Sequence, residues 1–168
     1  AFLSLPTQAL VEDLAQVDGD LMILGVGGKM GPTLARLARR AAPGKRVIGV
    51  ARFSRPELPA WLKQHGVESL ACDLMDTAQL AKLPDAANVM VMTALKFGST
   101  GRPGDTWAVN CWMPANTCQR YAGSRIAAFS TGNVYPLSPI PHGGSLETDP
   151  LAPVGEYAAS CVGRERLY

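Results

Sequence analysis

Short runs of consecutive apolar residues alternate along this chain with longer stretches in which apolar positions recur every three or four residues. Leu21-Met22-Ile23-Leu24 is the first such run. Four apolar residues in a row read as a strand buried on both faces. Behind it Leu34, Leu37, Ala38 and Ala41 fall at helical spacing, with Arg36, Arg39 and Arg40 outside the stripe. The pattern then predicts a second strand over 46–51, a helix from Pro56 to His65 closed by Gly66, a short strand from Val67 to Cys72, and a helix from Thr77 to Leu83 ended by Pro84. Asn88 to Ala94 reads as a fourth strand, Gly98 to Gly104 as a glycine-rich loop, and Asp105 as the cap of a helix reaching about Ala122. Arg125 to Phe129 is a fifth strand, 131–155 a long loop with five prolines, and a last helix begins near Glu156 and is still running at Tyr168. A leading helix within 1–18, carrying Leu10, Val11, Leu14 and Val17, is expected on the outside. Alternating strands and helices imply an α/β fold, a doubly wound parallel sheet in three α/β/α layers with strand order 3-2-1-4-5.

Composition narrows the function classes. With 168 residues, 47% of them hydrophobic and 18% charged, the chain suits one globular domain. A net charge of +2 makes no electrostatic case for nucleic acid or membrane as a partner. No apolar run approaches the ~18 residues of a membrane helix, and the opening Ala1-Phe2-Leu3-Ser4-Leu5-Pro6 lacks the basic start of a signal peptide. Cys72, Cys111, Cys118 and Cys161 show no CxxC spacing, so reduced thiols and a cytoplasmic location are expected. His65 reads as a helix end and His142 as a loop residue. Neither has metal-ligand spacing, and no metal site is expected.

The stretch between the first strand and its helix carries the chemistry. It reads Gly25-x-x-Gly28-x-x-Gly31, with Lys29 and Met30 inside the turn and Pro32 at the helix start. Strand, glycine turn, helix is the context of a Rossmann-like dinucleotide-binding fingerprint. Gly25 would permit the tight turn, Gly28 would admit a pyrophosphate against bare backbone, and Gly31 would let the helix pack closely. The helix N-terminus then faces the phosphates. The alternative is a glycine-rich turn that binds nothing. The end of the second strand, Ala51-Arg52-Phe53-Ser54-Arg55, offers no carboxylate for a ribose 2′-hydroxyl. Arg52, Ser54 and Arg55 instead suit a 2′-phosphate, favouring NADP over NAD, unless they form only a solvated basic turn.

These segments, with those that follow, resemble the extended branch of the short-chain dehydrogenase/reductase superfamily, the NAD(P)-dependent nucleotide-sugar epimerases and dehydratases. The resemblance runs from Leu21 to Tyr168. It implies that Asp73 and Leu74 meet the adenine, although Asp73 alone would also read as a helix cap. It implies that Thr93, Ala94 and Leu95 pass under the cofactor, with Lys96 facing phosphate or solvent, and that Asn110 lies near the active site. Phe129-Ser130-Thr131-Gly132-Asn133-Val134-Tyr135 is similar to the family segment Ser-Ser-x-x-Val-Tyr-Gly. That match puts Ser130 beside the cofactor and Thr131 on the reacting oxygen, with Pro136 where the family has glycine.

Tyr157 matches the tyrosine of Tyr-x-x-x-Lys, but Cys161 stands in place of the lysine. A tyrosine hydroxyl titrates near ~10, and the lysine's positive charge is what lowers it. Cysteine supplies no such charge. Arg164, seven residues from Tyr157, lies two turns away and is not expected to substitute. Tyr157 and Cys161 should share a helix face, with Cys161 toward the cofactor ribose. The implied activity is hydride transfer at a sugar carbon. The alternative is an NADP-binding regulatory or structural protein that has lost catalysis. The resemblance also implies a C-terminal substrate region beyond residue 168, and a homodimer through helices about 105–122 and 156–168 with Cys111, Trp112 and Tyr121 as contacts.

Overall fold

A computed structural model describes residues 2–97 and 100–168; Ala1, and Gly98 and Ser99 of the expected glycine-rich loop, lie outside the described residues. Strands β1 (Leu21–Leu24), β2 (Val47–Ala51), β3 (Glu68–Ala71), β4 (Asn88–Val91) and β5 (Arg125–Ala128) form one sheet. Its order is β3-β2-β1-β4-β5 and every pairing is parallel, as the alternating pattern predicts. In register, Leu24 stands opposite Val50 on one side and Val91 on the other, so β1 and β4 end level and β2 runs one residue further.

The run of four apolar residues in β1 is explained by what covers it. Met22 and Leu24 point into one core with Ile48, Val50, Val89, Val91, Leu80, Met113 and Tyr121. Leu21 and Ile23 point into the other with Val47, Val26, Ala35, Ala38, Leu58 and Leu62. The second core lies under helices α2 (Gly31–Ala41) and α3 (Leu58–Gln64). The first lies under α4 (Thr77–Ala81) and α6 (Met113–Arg120). Period-2 side-chain alternation thus divides one strand between two helical layers.

Several elements differ from the sequence pattern, each for a local reason. The buried stripe of α2 is Gly31, Ala35, Ala38 and Ala41, while Leu34 and Leu37 are only half-buried. Small residues face the sheet because the helix comes too close for leucine. The leading segment is split at Pro6 into a 3-10 turn at Phe2–Ser4 and α1 (Gln8–Ala15), capped by Thr7, whose side chain accepts from Leu10 N at 3.2 Å. Asp105 is not a cap. Arg102 precedes α5 (Pro103–Trp107), and Asp105 lies in its first turn, 3.1 Å from the Arg102 guanidinium. The helix expected as one piece to Ala122 is interrupted by a π-turn at Ala108–Trp112 before α6. The last helix, α7 (Gly155–Glu165), does not run to Tyr168, because the backbone turns out of it after its cap Arg166. His65 does end α3, its Nδ1 2.8 Å from Trp61 O. Among the described residues the four cysteines are free, no cluster suits a metal ion, and no helix is long and apolar enough to cross a membrane.

Tyr121 is no surface contact for a second copy. It is 2% exposed, and its hydroxyl donates to Met22 Sδ at 3.0 Å and lies 3.3 Å from Pro84 O. Burial pushes its phenol from 10 up to about 12, against a smaller downward pull from the Arg120 guanidinium. A group whose folded-state pKa is raised contributes stability that is complete below its unfolded value and lost as pH rises through its folded value. Unfolding free energy should therefore fall as pH climbs from 10 toward 12. Tyr121→Phe should shallow that fall in urea titrations across this range. An equally steep loss in the variant would clear Tyr121 of the effect.

Candidate functional site

The carboxyl ends of β1, β2, β3 and β4 open onto a cleft of about 320 Å³, lined by the glycine turn, by Ala51 to Arg55, by Cys72 to Met75 and by Met92 to Ala94. This is where a doubly wound sheet presents backbone to a ligand. Gly25 adopts φ +86°, and a Cβ there would come 2.7 Å from Thr93 Cγ2 and 3.2 Å from Met92 backbone. A Cβ on Gly31 would lie 2.3 Å from Val26 O, which no rotamer can relieve. Gly28 differs, because nothing comes closer than 3.5 Å to the place of its Cβ. It leaves bare backbone at the cleft wall. No side chain caps α2, whose N-cap is Met30, so the helix start keeps its N–H groups for an anion. These features fit a dinucleotide.

Beyond β2, Arg52 is exposed, 4.0 Å from Asp73 Oδ2, and Arg55 Nη2 donates to Gly27 O at 3.3 Å. Both guanidinium groups and Ser54 therefore border the cleft beside the glycine turn. Phe53 between them holds φ +51°, a left-handed backbone that aromatic residues rarely adopt. Its ring packs on the α2–α3 core while its neighbours turn outward. No sequence signal announces this, since an asparagine or glycine is the usual mark of such a bend. Asp73 Oδ1 accepts from Met75 N at 3.0 Å. The cap of α4 is Asp76, which accepts from Ala78 N and Gln79 N at 2.9 and 3.1 Å. The helix-cap reading of Asp73 is thereby replaced by a local turn with one oxygen directed toward Arg52.

A second cluster gathers where α7 meets the segments after β4 and β5. Thr131 Oγ1 donates to Asn133 Oδ1 at 3.1 Å and accepts from Asn133 N at 3.3 Å, and the Thr131 and Cys161 side chains both act on the Tyr157 phenol. Lys96 Nζ sits 5.2 Å from the Tyr157 ring centroid. Burial pushes the Tyr157 phenol above its ordinary value. The Thr131 hydroxyl pulls it back, the Cys161 thiol adds to the rise, and the Arg164 guanidinium opposes it. Cys161 is fully buried.

Asn110, inside the π-turn and also fully buried, fastens these segments together. Its Oδ1 accepts from Leu95 N at 2.9 Å. Its Nδ2 donates to Leu95 O at 3.2 Å and to Ser160 Oγ at 2.9 Å. Ser160 Oγ in turn donates to Tyr157 O at 2.8 Å. The π-turn gives Asn110 this inward aim, a use such turns often serve.

Of the residues singled out from sequence, Gly25, Gly28, Arg52, Ser54, Arg55, Asp73, Leu74, Thr93 and Ala94 line the cleft. Lys29, Met30, Gly31, Leu95, Ser130, Thr131, Tyr157 and Cys161 do not. Ser130 Oγ instead donates to Glu165, Leu95 is held by Asn110, and Met30 is 57% exposed at the helix start. Apolar walls at Met75, Met92, Val109 and Met113 were not legible as site residues, because each reads as core.

A family model described as NAD dependent epimerase/dehydratase family matches residues 21–167. The chain belongs to that family. No curated protein sequence matches it. Among solved structures it resembles the Bordetella bronchiseptica enzyme WbmG in complex with NAD and UDP, at TM-score 0.71 and 18% identity over 90% of this chain and 49% of that one. It also resembles the UDP-glucuronic acid 4-epimerase from Bacillus cereus in complex with NAD, at TM-score 0.68 and 15% identity over 88% and 50% of the two chains. A third is a short-chain dehydrogenase/reductase superfamily protein from Agrobacterium tumefaciens with bound NAD, at TM-score 0.67 and 22% identity over 88% and 43%. The chain spans about half the length of each.

The glycine turn yields a direct test. Gly31→Ala should cost about 2 kcal/mol or more, because its methyl group meets fixed backbone. Gly44→Ala, with nothing within 4 Å of its Cβ, should stay within about 0.5 kcal/mol of wild type. Urea unfolding measures both, and equal costs would reject the close approach of α2 to Val26.

Proposed function

We propose that this chain is the cofactor-binding part of an NADP-dependent enzyme of the extended short-chain dehydrogenase type, acting on a sugar nucleotide or a related hydroxyl or carbonyl substrate. The observation that carries the reading is the cleft at the carboxyl ends of β1 to β4, lined by the glycine turn with Gly28 bare at its wall and by Arg52, Ser54 and Arg55. Gly28 and the uncapped start of α2 would hold the pyrophosphate, with Lys29 and Met30 contributing turn backbone. Arg52, Ser54 and Arg55 would take a 2′-phosphate, Asp73 and Leu74 the adenine, and Thr93, Ala94 and Leu95 the nicotinamide ribose. Such a cofactor, when bound, accepts and returns a hydride at a sugar carbon. The protein's own share is proton handling. Tyr157 exchanges the proton of the reacting hydroxyl, and Thr131 donates a hydrogen bond to the same oxygen, which fixes its orientation.

NAD stands in the names of the solved relatives; the preference for NADP rests on the absence of a carboxylate at the end of β2 and on two guanidinium groups there. The half-exposed Trp112 suits a homodimer formed through the helices at about 105–122 and 156–168. Four free thiols suit a cytoplasmic location.

One observation favours a second reading. Cys161 is buried where the family motif carries a lysine, which suits a protein that binds NADP without turnover.

Binding and turnover separate these readings. NADP should bind more tightly than NAD, and Arg52→Asp should weaken NADP by about tenfold to a hundredfold while leaving NAD little changed. Equal affinities in a calorimetric titration would reject the 2′-phosphate site. Tyr157→Phe should lower kcat by a factor of about 10² to 10⁴ on any sugar nucleotide the protein converts. Tight NADP binding with no conversion of a panel of sugar nucleotides would instead establish the non-catalytic reading.

A further inference from the structure

Arg164 is the most deeply buried charge among the described residues, at 2% exposure. Its Nη1 donates to Thr93 O at 3.3 Å, where the chain leaves β4. Its Nε is buried without a hydrogen-bond partner, and so is Thr93 Oγ1. No carboxylate lies within ion-pair distance of it among the described residues. A guanidinium cannot shed its proton, so α7 carries a permanent cation into the interior and fastens it to a backbone carbonyl. Buried charges are weak contributors to stability. The reason for the arginine lies in what its contact with Thr93 holds in place.

That contact is made at the lining of the cleft, to which Thr93 and Ala94 both belong. Thr93 Cγ2 lies 2.7 Å from the place a Cβ on Gly25 would take, so this segment and the glycine turn are pressed together. Helix α7 grips the segment at both ends. Arg164 holds Thr93 O directly. Four residues earlier, on the same helix face, Ser160 Oγ accepts from Asn110 Nδ2 at 2.9 Å, and Asn110 in turn bonds both the N–H and the C=O of Leu95. The helix is itself docked closely on the π-turn. Cys111 Sγ donates to Ser160 O at 3.2 Å, and a Cβ on Gly163 would lie 2.7 Å from the same sulfur. The position of the 93–95 backbone is therefore set from α7.

We propose that Arg164 is a positioning residue for the cofactor: by holding the Thr93 carbonyl it fixes the 93–95 backbone against which the nicotinamide ribose binds. The inference rests on the assignment of Thr93, Ala94 and Leu95 to that ribose under the proposed function. Holding the backbone also fixes the aim of Thr93 Oγ1, the unpartnered hydroxyl at this end of the cleft. A backbone left loose must be ordered each time the ligand binds, and that ordering is subtracted from affinity. The other half of the cleft is built separately. Arg52, Ser54 and Arg55 follow β2, on the far side of β1, and Asp73 and Leu74 follow β3. Loss of the Arg164 contact thus weakens the grip on the nicotinamide half alone, whereas a merely structural role for Arg164 affects every ligand alike.

Calorimetric titration with NADP and with adenosine 2′,5′-bisphosphate separates the two halves, because the second ligand lacks the nicotinamide and its ribose. Arg164→Met keeps the length and apolar stem of the side chain and removes its charge and donors. It should weaken NADP by about tenfold or more and change the bisphosphate by less than about twofold, with Arg164→Lys falling between wild type and Arg164→Met. An unmoved NADP affinity in folded Arg164→Met, or equal weakening of both ligands, overturns the proposal. Circular dichroism establishes that each variant is folded. Should Arg164→Met not fold, Arg164→Lys, which keeps the buried charge, decides the matter. NADP weakened by about threefold or more with the bisphosphate unmoved upholds the proposal. Wild-type affinities for both ligands, or equal weakening of both, overturn it. If NAD proves the tighter dinucleotide, NAD and AMP take the places of the two ligands, with the same outcomes. Wild type that binds neither dinucleotide refutes the cofactor site and this inference with it. Wild type that binds one, with its affinity unmoved in the variant, refutes the inference alone.

Discussion

The fit of Val26 between two glycines is the constraint on which the rest of the structure depends. Val26 is fully buried. Its carbonyl lies where a Cβ on Gly31 would be 2.3 Å away, and its methyl groups lie where a Cβ on Gly49 would be 2.9 Å away. Val26, two residues beyond β1, is thus wedged between α2 and β2. The wedge sets how closely α2 approaches the sheet, and that distance explains why its inward residues are Ala35, Ala38 and Ala41. It also aims the start of α2 across the ends of β1 and β2. The anion-facing backbone of the cleft follows from packing of the core, with no polar residue needed to place it.

Most of the fold was legible because a parallel strand covered on both faces must be apolar at consecutive positions. Leu21–Leu24, Val47–Val50 and Val89–Val91 carry that signature, and the sheet order follows from handed crossovers between them. The errors arose where a three-dimensional distance decides the outcome. Leu34 and Leu37 satisfy a helical stripe as well as the alanines do, and only the depth of the Gly31 contact selects the alanines. Asp105 is a good cap by residue type, yet Pro103 starts the helix two residues earlier and turns the aspartate into an ion-pair partner for Arg102. The π-turn inserts one residue into a ladder that periodicity reads as continuous, because a shift of one residue in the apolar pattern is within its ordinary scatter.

The site divides along the same line. Glycines and the β2-end arginines are local signals and were readable, since turn geometry and strand position fix where they point. Asn110 reads as an isolated polar residue in a helix. Its role emerges only when residues 95 and 160 meet it from both sides. Phe53 reads as an ordinary aromatic, although its backbone is the bend that turns Arg52 and Ser54 toward the cleft.

The exchange of lysine for cysteine at position 161 takes on a different meaning once Arg164 is seen. Position 161 is fully buried, one turn from a buried guanidinium that has no carboxylate in ion-pair distance among the described residues. A lysine there would add a second cation to a low-dielectric pocket that already holds one, and like charges in such a place oppose each other strongly. Cysteine at this buried position is small and adds no second cation.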